Sequence, residues 1–163
     1  MFLLDTDIVS NTRRTKPHPW LLRWLEARSA DELMISAITI FEIEAGICLL
    51  EIERKLEKAR EVRSWLDGLV ASGGPPILPI DHRVARLYGR MFTTPALRNF
   101  VVADARAAKL KSGADLIIAA TAIVHEAAIA TNNAADFLAI DRHFPLPGVY
   151  KPFTDAWVVA VKG

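Results

Sequence analysis

Phe2-Leu3-Leu4-Asp5-Thr6-Asp7-Ile8-Val9-Ser10 is the stretch on which the fold turns. Three apolar residues in a row suit a short buried strand, and the carboxylate of Asp5 ends the run abruptly. Asp5, Thr6 and Asp7 then offer side-chain oxygens for the free amides of a helix beginning near Ile8. A strand that passes into a helix through a polar turn opens a β-α unit.

The same alternation recurs along the chain. Pro17 suits the first turn of a helix whose apolar face carries Trp20, Leu21, Trp24 and Leu25, ending near Arg28. Leu33-Met34-Ile35-Ser36 predicts a second strand, followed by a helix from Thr39 past Gly46 and another over roughly Glu53 to Val70. The mixed-sign charges of that last segment mark a solvated face. Ser72-Gly73-Gly74-Pro75-Pro76 reads as a connection, because the apolar run Ile77-Leu78-Pro79-Ile80 follows at once. Asp81 caps a helix through Val84, Leu87, Tyr88 and Met91. Thr93 to Ser112 is mostly helical in pattern, anchored by Leu97, Phe100, Val101 and Leu110, and Gly113 breaks it before Asp115. A buried helix over Leu116 to Val124 leads to a strand at Ala128 to Thr131, then to a short strand at Val149-Tyr150. The apolar tail Ala156 to Val161 adds an edge strand or a partner contact. Short apolar strands alternating with helices predict an α/β fold of three layers, α/β/α, around a central, mainly parallel sheet. The expected organisation is one domain over 1–163, with a core at 1–150 and a tail at 151–163.

Composition narrows the function classes. An apolar content of 52% suffices for a full core, yet no run approaches the about 18 apolar residues of a membrane span. The start lacks a basic segment and a long apolar core, so no signal peptide is expected. Cys48 is the only cysteine, which excludes a disulfide within the chain and fits a reducing cytoplasm. It is expected as a small core residue on an apolar helix face. A net charge of +1 argues against a chain-wide polycation but allows a local basic rim. Candidates are Arg13, Arg14 and Lys16 after Asp5, and Lys109 and Lys111 before Asp115. The four histidines show no metal-ligand spacing, and neither a nucleophile-elbow motif nor a glycine-rich phosphate loop occurs.

The chemistry lies in carboxylates. Asp5 ends a strand, Glu42 sits within an apolar helix, Asp115 opens a very apolar one, and Asp136 follows the strand at Ala128 to Thr131. Taken singly, each has an ordinary role: Asp5, Asp115 and Asp136 as caps, Glu42 as an arginine's partner. Taken together they are harder to dismiss, because ligands in such sheets bind beyond the carboxyl ends of the strands. Carboxylates that converge there repel one another and call for a cation, and all-oxygen ligands suit Mg²⁺ or Mn²⁺. Asp5 and Asp115 are the expected metal ligands, the anionic form of Asp115 being favoured at a helix N-terminus. Glu42 has the reach a helix position requires, and Gly46, four residues on, is expected to admit another backbone. Thr6 and Thr131 are candidates to orient ligands or water. The residues alone argue for metal-assisted phosphoryl chemistry.

Leu4-Asp5-Thr6-Asp7-Ile8-Val9-Ser10, Ser36-Ala37-Ile38-Thr39 with Glu42-Ile43-Glu44-Ala45-Gly46, Asp115 through Ala122, and Ala130 through Phe137 also resemble, in order, the segments of the PIN-domain ribonucleases. Within them the chain is nearest to the VapC-type toxins of toxin–antitoxin pairs, on the FitB-like branch. The resemblance implies a PIN fold and a Mg²⁺-dependent endoribonuclease whose acidic quartet is Asp5, Glu42, Asp115 and Asp136. It also implies an RNA substrate, a cognate antitoxin and a homodimer. Asp7 stands where the family often has Asn. Asn133 stands where some relatives place the fourth acidic residue, and Asp136 where others do. Two rivals remain at the level of the residues: a metal-dependent DNA nuclease or phosphatase, and a non-catalytic acidic pocket for a basic partner.

Overall fold

The computed structural model describes residues 1–71, 73–102 and 112–161. Six strands form one sheet: β1 (Phe2–Leu4), β2 (Leu33–Ser36), β3 (Ile77–Leu78), β4 (Ala128–Ala130), β5 (Val149–Lys151) and β6 (Ala156–Val159). Their order is β3-β2-β1-β4-β5-β6. Every pairing is parallel except that of β5 with β6. The first strand therefore lies inside the sheet, in register with β2 (Leu3 beside Met34) and with β4 (Leu3 beside Ile129).

Among the described residues, seven α-helices cover the two faces: α1 (Thr6–Thr12), α2 (Pro19–Glu26), α3 (Ala37–Ile52), α4 (Leu56–Ala71), α5 (His82–Phe92), α6 (Ala114–Val124) and α7 (Ala134–Asp141). Alternation along the strands sorts their side chains between two cores. Leu3, Met34, Ile129 and Val149 pack with Val84, Met91, Leu116, Ala120, Phe137 and Ile140. Leu4, Leu33, Ile35, Ala130 and Tyr150 pack on the other face with Ile8, Leu21, Trp24, Ile43, Ile47 and Leu66. This is the expected three-layer architecture. No helix among the described residues is long and apolar enough to cross a membrane.

Several local expectations change. Pro19, not Pro17, occupies the first turn of α2. The break between α3 and α4 falls at Arg54, whose φ of 59° ends the first helix, so α4 starts at Leu56 and not near Glu53. Cys48 is exposed, because α3 is apolar nearly all round and its periodicity does not mark the inner face. Gly46 admits no neighbouring chain: a Cβ there meets nothing within 4 Å among the described residues. Within Thr93 to Ser112, a 3₁₀ helix spans Pro95–Phe100, and residues 103–111 lie outside the described residues. Asp81 caps α5 as expected, accepting from the amides of Arg83 (2.9 Å) and Val84 (3.0 Å). The tail forms the antiparallel edge strand β6.

Candidate active site

The chain crosses the sheet in one direction from β1 to β3, then returns to place β4 on the other side of β1. A crevice opens beyond the carboxyl ends of strands at such a reversal. Asp5 follows β1 and Thr131 follows β4, so each stands on one side of it. Thr131 Oγ1 donates to Asp5 Oδ2 at 2.7 Å, and the Thr6 amide donates to Asp5 Oδ1 at 2.7 Å. Asp5 is only 5% exposed. Burial pushes its carboxyl up to about 8, and the nearby Asp7 and Asp115 push in the same direction against the two hydrogen bonds.

Asp7 lies two residues on, in the first turn of α1. Its carboxyl is also raised, chiefly by burial. Its Oδ2 accepts from the Asn132 amide at 3.0 Å, while its Oδ1 is buried and accepts no hydrogen bond from the described residues. Asp115 occupies the first turn of α6. It does not cap that helix: Gly113, at φ 68°, takes the N-cap position and turns the chain in.

The other two carboxylates join through hydroxyl and amide bridges. Thr6 Oγ1 donates to Glu42 Oε2 at 2.7 Å and lies 3.3 Å from Thr39 Oγ1. Ser112 Oγ donates to Glu42 Oε1 at 3.4 Å. Asn133 Nδ2 donates to Asp136 Oδ2 at 2.5 Å, and the Asn133 amide donates to Thr131 Oγ1 at 2.9 Å. Among the described residues, Asp136 thus reaches Asp5 through Asn133 and Thr131. Asp5, Asp7 and Asp115 form the centre, Glu42 hangs from it by Thr6, and Asp136 by Asn133.

A cation fits this donor set. Among the described residues, no three His, Cys, Asp or Glu side chains lie close enough to enclose an ion as they stand. Mg²⁺ does not require three, since it keeps several waters and takes one or two carboxylates. The buried, unpartnered Asp7 Oδ1 and the Asp5 carboxyl, raised by two neighbouring carboxylates, are oxygens whose ionised forms a divalent ion would favour. Asp5, with Asp7 and Asp115, would hold it.

The sequence reading overlooked Thr39, which is fully buried beside Thr6. Its spacing of three from Glu42 on one helix was the available signal. The residues of the expected basic rim are scattered in their surroundings. Arg13 is 3.6 Å from Glu61 and sits over the Trp65 ring, Arg14 and Lys16 are exposed, and Lys109 and Lys111 lie outside the described residues.

The PIN domain profile matches residues 2–142. Toxin FitB of Neisseria gonorrhoeae is 30% identical over 155 residues, covering 95% of this chain and 100% of that protein. Plasmid stability protein StbB of Pseudomonas syringae pv. tomato is 29% identical over 138 residues, covering 84% of this chain and 91% of that one. Among solved structures, FitAB bound to the IR36 DNA fragment contains a chain that is 29% identical, with TM-score 0.60 and coverage of 94% of this chain and 96% of that chain.

Proposed function

The chain belongs to the PIN-domain family, and from that premise we propose that it is a Mg²⁺-dependent endoribonuclease, the toxin of a toxin–antitoxin pair. The observation that carries the reading is the convergence of Asp5, Asp7 and Asp115 at the reversal point between β1 and β4. Relatives named VapC ribonuclease, such as that of Sinorhizobium fredii, support the choice of substrate.

The chemistry supplied by a bound Mg²⁺ or Mn²⁺ is polarisation of the phosphodiester and a lowered pKa for an attacking water. The protein's part is to place that water and take its proton. Thr6 fixes Glu42 through Oε2, leaving Oε1, whose one hydrogen bond among the described residues is the long contact from Ser112, to accept a proton from the water. Thr131 holds Asp5 in one orientation, and Asn133 ties Asp136 to the same network. The antitoxin inhibits by inserting an Arg or Lys, whose cation replaces the metal's charge among the carboxylates. Exposed apolar side chains such as Phe41, Leu49 and Ile52 on α3 support pairing into a homodimer.

The test is cleavage of single-stranded RNA by the purified, antitoxin-free chain. Cleavage is expected with Mg²⁺, is lost in excess chelator, and is lost in Asp5→Ala while the circular dichroism spectrum is retained. Undiminished cleavage by Asp5→Ala, or cleavage of DNA alone, overturns the assignment.

A further inference from the structure

The acidic centre repels the polyanion it is read as cutting. A net charge of +1 shows that no excess of cations over the whole chain offsets this, so the cations must be local. Helix α5 carries His82, Arg83, Arg86 and Arg90 and no acidic residue. Positions 83, 86 and 90 are three and four apart and so share one face. Together with Leu87 and His82 they line a groove of about 470 Å³. Arg83 is held by Asp81, its Nε donating to Oδ2 at 2.9 Å. Arg86 and Arg90 have no carboxylate within ion-pair distance among the described residues.

It is another side of the same helix that packs toward the centre. Helices α5 and α6 pack together, Val84 and Met91 sharing a core with Leu116 and Ala120. Tyr88, between Leu87 and Arg90 in sequence, lies against Gly113: a Cβ there would be 3.0 Å from Tyr88 Oη. Gly113 is two residues before Asp115.

We propose that Arg83, Arg86 and Arg90 form a phosphate track on the outer side of α5, which holds the backbone of a single-stranded RNA along the helix that packs against α6, the bearer of Asp115. Three guanidiniums in a row can each clasp successive phosphate oxygens in a bidentate fashion, and the Leu87 side chain gives the groove an apolar floor for sugar or base. The track explains how a nearly neutral chain retains a polyanion, and it rests on the ribonuclease reading only for the choice of RNA over another polyanion.

The experiment measures binding of a labelled single-stranded RNA oligonucleotide by fluorescence anisotropy, in chelator and over a range of salt. The proteins are wild type, Arg86→Ala/Arg90→Ala, and the control Arg23→Ala/Lys58→Ala, which removes two exposed charges elsewhere. Each phosphate contact contributes about 0.7 to the salt slope for a single strand, so the double variant should lose roughly 1.4 of it. Its affinity should fall at least about tenfold, with the control close to wild type. Circular dichroism establishes that the variants are folded. An unchanged slope in Arg86→Ala/Arg90→Ala, or an equal loss in the control, overturns the track. Unchanged RNA binding with lost binding of poly-glutamate also overturns it, in favour of an acidic polypeptide partner. Cleavage with Mg²⁺ is scored separately: a wild type that binds RNA through the track yet cuts none leaves the track standing and defeats the nuclease reading.

Discussion

With both oxygens in hydrogen bonds and its carboxyl still pushed up to about 8 by burial, Asp7 and Asp115, Asp5 resists ionisation in the metal-free fold. In the unfolded chain it ionises near the ordinary value of about 3.9. The folded state therefore keeps a proton that the unfolded state has already released, and stability falls as pH rises between those values. The melting temperature in chelator should drop from pH 5 to pH 8, and Asp5→Asn should flatten that dependence. A flat wild-type profile would show that Asp5 is not opposed by its surroundings. Asp115→Asn removes part of the same repulsion and should stabilise the metal-free chain by about 1 kcal/mol, within the usual range for single changes. Loss of a charge in the first turn of α6 acts the other way, by about 0.3–1 kcal/mol. Thermal melting with and without millimolar Mg²⁺ decides: the variant should melt higher in chelator and gain less from the ion. A variant that melts lower and gains as much as wild type would make Asp115 an ordinary helix residue.

Helix α6 brings Asp115 to the centre, and Gly113 sets where that helix begins. A Cβ at Gly113 would lie 3.0 Å from Tyr88 Oη and 3.1 Å from Val101 Cγ1, in a left-handed backbone that costs a non-glycine residue about 1–2 kcal/mol. Gly113→Ala should destabilise the fold by that amount or more, seen as a lower melting temperature, and reduce RNA cleavage more than it reduces RNA binding. Equal activity in the variant would mean that the start of α6 does not position Asp115. The glycine was legible as a helix break, as were Asp81 as a cap and the strands at Leu33-Met34-Ile35 and Ala128 to Ala130, since each has a local chemical cause. Helix α7 was not foreseen, because its eight residues follow the strand after only three, and Asn133 caps nothing with its side chain. The inner face of α3 was equally illegible: Phe41, Leu49 and Ile52 are as apolar as Ile43 and Ile47, and only packing separates them. The arginines of α5 had a readable spacing, but nothing local says that their helix packs against α6, which bears Asp115.

At the scale of the molecule, the acidic centre should couple to stability through mass action. A ligand that binds only the folded state at a hundred times its Kd stabilises by about 2.7 kcal/mol. Mg²⁺ should therefore raise the melting temperature of wild type in proportion to the logarithm of its concentration, and Ca²⁺, which prefers more oxygens and longer bonds, should do so less. No shift with either ion would leave the carboxylates without a cation. Light scattering at micromolar concentration should give twice the mass of one chain, and a strict monomer would reject the homodimer.

The position of β1 inside the sheet has one more consequence, for the order in which the protein comes into being. Asp5 leaves the ribosome 126 positions ahead of Thr131, whose hydroxyl fixes it. Until β4 has emerged and taken its place beside β1, the first strand has a neighbour on one side only, and Asp5 has no partner for Oδ2. Contacts so distant in sequence form late. A nascent chain therefore carries its acidic residues past the translation machinery without an assembled centre, and synthesis itself delays the onset of any cutting until the strand bearing Thr131 is free to fold.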